Sequence, residues 1–164
     1  MRIASQREQF PHRTAMAEDY WMSHRPAGPD GGVPLHDLTG SGTLPGDVYT
    51  HPQYYDFSGD GAALSNWDTF NSVRGNPDAM VDIYRSTPKG NYRFNDGDWV
   101  ALREDYARQE GLHSTDPSKD NPVMRSRVPA SSLYTSGDSF DEFGYWGPQQ
   151  WGTVVQSDID RGIS

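Results

Sequence analysis

The sequence predicts an α+β fold with a mixed or antiparallel sheet, few short helices and long loops. Three observations carry this. The run Ala63 to Val73 places Ala63, Leu64, Trp67, Phe70 and Val73 on one face of a helix. Several later short runs alternate apolar and polar residues as strands do. Glycine (17) and proline (12) are frequent enough to require many turns between short elements. A helix followed by a succession of strands, without regular strand–helix alternation, is the α+β order.

Taken in order, residues 1–15 read as a flexible tail and 16–164 as a single domain, which suits a chain of 164 residues. Met16 to Met22 suits a short helix or a strand, and ends before Arg25-Pro26 because a residue preceding proline is pushed out of the helical region. Ala27 to Pro34 reads as a Gly/Pro loop, and the stretch to residue 60 as an ordered, mostly irregular layer. Asp60-Gly61 precedes the helix and Gly75-Asn76-Pro77 ends it. A strand is expected over Ala79 to Ser86, with Val81, Ile83 and Arg85 on one face and Met80, Asp82 and Tyr84 on the other. The turn Asn95-Asp96-Gly97-Asp98 leads into a strand over Trp99 to Leu102, then a helix over Glu104 to Gln109 closed by Gly111. After a polar loop over residues 112–122 come strands at Val123 to Val128, Ser132 to Thr135 and Ser139 to Trp146. Beyond Gly147-Pro148, Trp151, Val154 and Val155 offer an edge strand or residues that pack back.

Composition narrows the function classes. Only 34% of residues are hydrophobic, so the core leans on aromatic rings, which make up 12% of the chain. The net charge of -9 disfavours a nonspecific nucleic-acid footprint, which needs a basic face. Without cysteine there is no disulfide-linked partner, thiolate metal site or cysteine nucleophile. No apolar run reaches the length of a membrane span or a signal sequence, so no membrane contact and a cytoplasmic location are expected. The phosphate-loop, dinucleotide-fold and nucleophile-elbow glycine patterns do not occur.

Two residues stand out chemically. Arg85 lies near the end of the strand Val81-Asp82-Ile83-Tyr84-Arg85-Ser86, and Glu142 lies in Phe140-Asp141-Glu142-Phe143-Gly144-Tyr145 behind the Gly137-Asp138 turn. An arginine that grips phosphates and a carboxylate that stabilises a sugar cation are the minimum equipment for cleaving NAD at its nicotinamide bond. Each has a plain alternative. Arg85 could cover the sheet or pair with an acid, and Glu142 could be an exposed acid on an edge strand. His24, His36 and His51 match no zinc spacing, so no metal is expected. His24 or Tyr20 is read either as lining a cleft or as hydrogen-bonded within the irregular layer.

The runs "IYRSTPKG", "NDGDWVALREDYARQEG" and "SRVPASSLYTSGDSFDEFGYWGP" resemble the ADP-ribosyltransferase domains of bacteriophage head-associated proteins and related bacterial toxins. The likeness covers most of the chain after residue 16. It implies a split pair of small sheets around an NAD cleft, with NAD as substrate and no metal. By position, Arg85 would hold the NAD phosphates and Glu142 would bond the nicotinamide ribose. Tyr84, Ser86, Tyr106 and His24 would contribute to NAD binding, and the rings of Tyr84, Trp99, Tyr106 and Tyr145 could stack on nicotinamide or adenine. It further implies a protein or nucleic-acid acceptor, and a location in the host cytoplasm or on the virion. The chain departs from the family twice. Trp99-Val100-Ala101-Leu102 stands where many members carry a Ser-Thr-Ser-like stretch, and Phe140 stands where arginine-modifying members carry a second acid. These departures leave an inactive phage structural or accessory protein of the same fold as the alternative. A carbohydrate-binding surface on Trp99, Tyr145 and Trp146 is a third reading.

Overall fold

A computed structural model describes residues 25–162. The proposed tail, the Met16 to Met22 segment, Tyr20 and His24 lie outside the described residues. The helical run begins with a 3-10 turn, Ala62–Ser65, and continues as α1, Asn66–Val73. Its stripe is buried as the spacing requires: Trp67, Phe70 and Val73 all face the core. Asn66 is buried too, and its Nδ2 donates to the Phe140 carbonyl at 2.8 Å, so the buried amide is satisfied.

The strands are β1 (Val33–Pro34), β2 (Met80–Ser86), β3 (Arg93–Phe94), β4 (Asp98–Ala101), β5 (Val123–Pro129), β6 (Leu133–Thr135), β7 (Glu142–Tyr145), β8 (Gln150–Trp151) and β9 (Thr153–Val154). Seven form one sheet in the order β1-β6-β7-β4-β2-β5-β9, and every neighbouring pair is antiparallel. β3 and β8 pair in a small second sheet. The chain is therefore α+β.

Alternation along the strands sorts residues into two layers. Val81 and Ile83 of β2, Val100 of β4, and Phe143 and Tyr145 of β7 are buried on one face with α1 and the irregular N-terminal layer. That layer buries Leu35, Leu38, Val48 and Tyr49. Trp67, Phe70, Phe140 and Phe143 meet there at ring separations of 4.9 to 5.9 Å. Tilted and edge contacts of this kind add to the burial of each ring, itself about 2 kcal/mol.

The opposite face is covered by α2, Glu104–Glu110. Ala101, Tyr106, Ala107, Val123 and Val155 form a smaller cluster there, with Tyr84 against it. α2 starts with Glu104 and Asp105 and ends with Arg108 before Gly111, charges that complement the helix dipole.

Three short elements escaped the sequence pattern. Residues 27–34 contain β1 and not only a loop; two residues are too few to show a period. β3 holds just Phe94 in the core. Gln156–Asp160 forms a C-terminal helix, α3. It is anchored by Asp158, fully buried, which accepts from the Val123 amide at 2.8 Å and from Arg108 Nη1 at 2.5 Å.

Candidate functional site

A cleft of about 660 Å³ opens where β2 and β4 part company. β2 is paired with β5 along its whole length, yet its backbone ladder with β4 has one position among the described residues, Tyr84 opposite Ala101. Past that pair the strands diverge, and side chains from both sides line the gap. The far wall comes from α2 and the loop after it.

Arg85 and Glu142 both line this cleft. They reach it differently. Tyr84, Ala101 and Glu142 are cross-strand neighbours in register, so their side chains share one sheet face. Ala101 is the small member of that row and leaves room between the tyrosine and the glutamate. Arg85 belongs to the opposite face by strand alternation. It lines the same cleft because the ladder beside it is open.

Glu142 is not an exposed edge acid. β7 lies inside the sheet between β6 and β4, and Glu142 is 6% exposed. The alternation of Asp141, Glu142 and Phe143 explains how one strand start serves three purposes. Phe143 enters the core. Asp141 accepts from Arg103 Nη2 at 3.2 Å. Glu142 faces the cleft.

Arg85 does pair with an acid. Its Nη1 donates to Asp98 Oδ2 at 2.6 Å, and each side chain is 17% exposed. Its Nε is buried without a hydrogen-bond partner.

Three other expected contacts line the cleft as well: Tyr84, Ser86 and Tyr106. Burial pushes the Tyr84 phenol above its ordinary pKa, against the pull of Arg125. Ser86 Oγ leans toward the Asn121 carbonyl at a long 3.5 Å. Tyr106 is almost wholly buried, with the Arg103 guanidinium 5.9 Å from its ring centre. No metal-holding group of His, Asp and Glu occurs among the described residues.

Sequence reasoning missed several participants. Arg25 and Pro26 close one end of the cleft, where Arg25 lies over the Trp146 ring at 5.5 Å from its centre. Gly144 permits this approach: a Cβ there would come within 2.7 Å of the Ala27 carbonyl and the Pro26 side chain. His113 and Lys119 add polar groups at the other end. Asp98 was read only as part of a turn. Its partner could have been sought from Arg85, since an inward arginine needs one. Trp99 lines the cleft, whereas Tyr145 is buried in the core, which leaves no flat surface of Trp99, Tyr145 and Trp146 for a sugar chain.

The cleft thus offers cationic groups (Arg25, Arg85, Lys119), aromatic faces (Tyr84, Trp99, Tyr106) and two acidic residues, Glu142 buried beside a small-residue gap and Glu110 at the end of α2. That set suits an anionic ligand with flat rings. No family model, curated protein or solved structure matches the chain. Among the described residues no helix is long and apolar enough to cross a membrane.

Proposed function

We propose that the protein binds NAD in the cleft between β2 and β4 and cleaves the bond between nicotinamide and ribose, passing ADP-ribose to a protein or nucleic-acid acceptor. The observation that carries this reading is the presence of Arg85 and a buried Glu142 in one cleft. Its volume falls within the roughly 300–1,000 Å³ of small-molecule sites.

In this reading Arg85 holds the diphosphate through charge-assisted hydrogen bonds. Tyr84, Tyr106 or Trp99 stacks on a ring of the dinucleotide. The C–N bond then breaks, and nicotinamide leaves as a neutral base with the bonding electron pair. Positive charge develops on the ribose C1′ and its ring oxygen. The Glu142 carboxylate, held on an interior strand, stabilises that charge as it forms. The acceptor nucleophile attacks C1′ and loses its proton. Residue 140 is a core phenylalanine, so Glu142 has no acid two positions before it to prepare an arginine acceptor.

Calorimetric titration with NAD tests the binding step. Wild type is expected to bind, and Arg85→Ala to bind about tenfold or more weakly. Absence of heat with wild type contradicts the reading. It would favour an accessory protein that keeps the fold without catalysis, for which the Arg85–Asp98 ion pair is then simply structural.

A further inference from the structure

We propose that Asp98 is the positioning residue of the anion site: it fixes the Arg85 guanidinium in the cleft without touching the ligand. This rests on the reading of Arg85 as the diphosphate holder. The turn before β4 is set by Gly97, at φ +86, whose amide donates to the Tyr145 carbonyl at 2.7 Å. Asp98 follows directly, and its Oδ2 also accepts from the Asn95 amide at 2.8 Å. The carboxylate therefore has its own backbone anchor and stays in place whether or not Arg85 is bound to it.

Arg85 depends on Asp98 in a way that is not mutual. Among the described residues the Asp98 contact is the hydrogen bond its guanidinium makes, and Nε has no partner. A long side chain with a single tether loses its placement when that tether goes. Asp98 is absent from the cleft wall, while Arg85 and the neighbouring Gly97 and Trp99 form part of it. Asp98 therefore holds the guanidinium without itself contacting a ligand in the cleft.

The same pair ties β2 to β4 where the ladder has failed. Tyr84↔Ala101 is one link and Arg85–Asp98 is the next. Loss of the ion pair removes the side-chain link beside the one ladder position, and the place of the guanidinium relative to Glu142 becomes variable. Asp98 thus affects ligand affinity through geometry and not through contact.

The test uses inorganic pyrophosphate as well as NAD, because pyrophosphate probes the anion site alone. Wild type, Asp98→Asn, Arg85→Lys and the double variant are titrated calorimetrically. Asp98→Asn keeps an acceptor for the Asn95 amide and removes the charge. It is expected to weaken pyrophosphate about tenfold, and to add almost nothing when Arg85 is already lysine. That coupling is the signature of action through Arg85; a merely structural role would weaken both backgrounds equally. Equal affinity of wild type and Asp98→Asn overturns the proposal, as does a wild type that fails to bind pyrophosphate. Circular dichroism of each variant identifies loss of fold; were Asp98→Asn unfolded, Asp98→Glu supplies the readout, with partial recovery of affinity expected and none contradicting the proposal. If pyrophosphate shows the coupling but nicotinamide is never released from NAD, the NAD-cleavage reading fails while the role of Asp98 stands.

Discussion

Tyr84 and Ala101 form the one ladder pair between β2 and β4 among the described residues. A sheet held by one pair at its middle is open on one side of that pair, and the opening is the cleft. The next residue along β2, Arg85, meets Asp98 across the gap with its side chain and not its backbone. The next residue along the cross-strand row, Glu142, faces the same space. The site is a consequence of where the ladder stops.

The row Tyr84, Ala101, Glu142 requires a small residue at its centre. Ala101 is 3% exposed, so a larger side chain there must displace its neighbours or fill the cleft. Ala101→Leu is expected to cost about 2 kcal/mol in urea unfolding and to abolish NAD binding. A folded variant that binds NAD like wild type contradicts the placement of the ligand beside Ala101.

Arg103 joins the end of β4 to the start of β7 through Asp141, with the two side chains 15% and 10% exposed. Removal of the guanidinium takes a charge-assisted partner from the largely buried Asp141. Arg103→Ala is expected to lower stability by about 3 kcal/mol. It should also reduce any Glu142-dependent activity, because Asp141 and Glu142 are adjacent. Denaturant unfolding checks the first part; a change under 1 kcal/mol, about the worth of an exposed pair, would show that the bridge is superficial.

Gly144 admits the Arg25–Ala27 segment to the face of β7. Gly144→Ala is expected to push that segment away, since the new methyl would meet the Ala27 carbonyl at 2.7 Å. Trp146 Nε1 donates to the same carbonyl at 2.8 Å, so tryptophan fluorescence should shift as this bond is lost. An unchanged spectrum and unfolding midpoint would contradict the close approach.

Alkaline pH probes Tyr55, which is held above the ordinary range chiefly by a hydrogen bond, whereas burial does this for Tyr84 and Tyr145. The Tyr55 hydroxyl donates to Asp47, and this bond, with some burial and the nearby negative charge, pushes its pKa up from 10.0 to about 12. The neutral phenol is thus favoured by folding. Its stabilising contribution is complete below pH 10.0 and is lost as pH rises through about 12. Absorbance titration should show the late-ionising amplitude reduced by one tyrosine in Tyr55→Phe. A titration curve identical for both proteins would rule out the assignment.

Much of the fold was legible because it is written in local periods. α1, β2, α2 and β5 stand close to where spacing and turn residues put them. β1 and β3 have two residues each, too short for any period, and exist because a partner strand is present. β8 and β9 are as short but fall at Trp151 and Val154, where the sequence offers an edge strand; β9 lies at the sheet edge and Val155 packs back. The site divides along the same line. Arg85 and Glu142 were legible as residue types in strands. Their meeting in one cleft was not, since strand alternation alone puts Arg85 on the face away from Tyr84. What brings them together is the missing part of the β2–β4 ladder, a tertiary fact. Asp98 was hidden for the same reason: a turn aspartate and a strand-end arginine are 13 positions apart and become partners only when the strands fold side by side.

The most direct measurement is nicotinamide released from NAD by wild type and by Glu142→Gln. The substitution keeps the shape of the side chain and removes its charge. The account predicts release by wild type and a fall of about 10²–10³-fold in Glu142→Gln, with unfolding close to wild type. Equal rates in the two proteins, or no release by wild type with acceptor-containing lysate present, would contradict it.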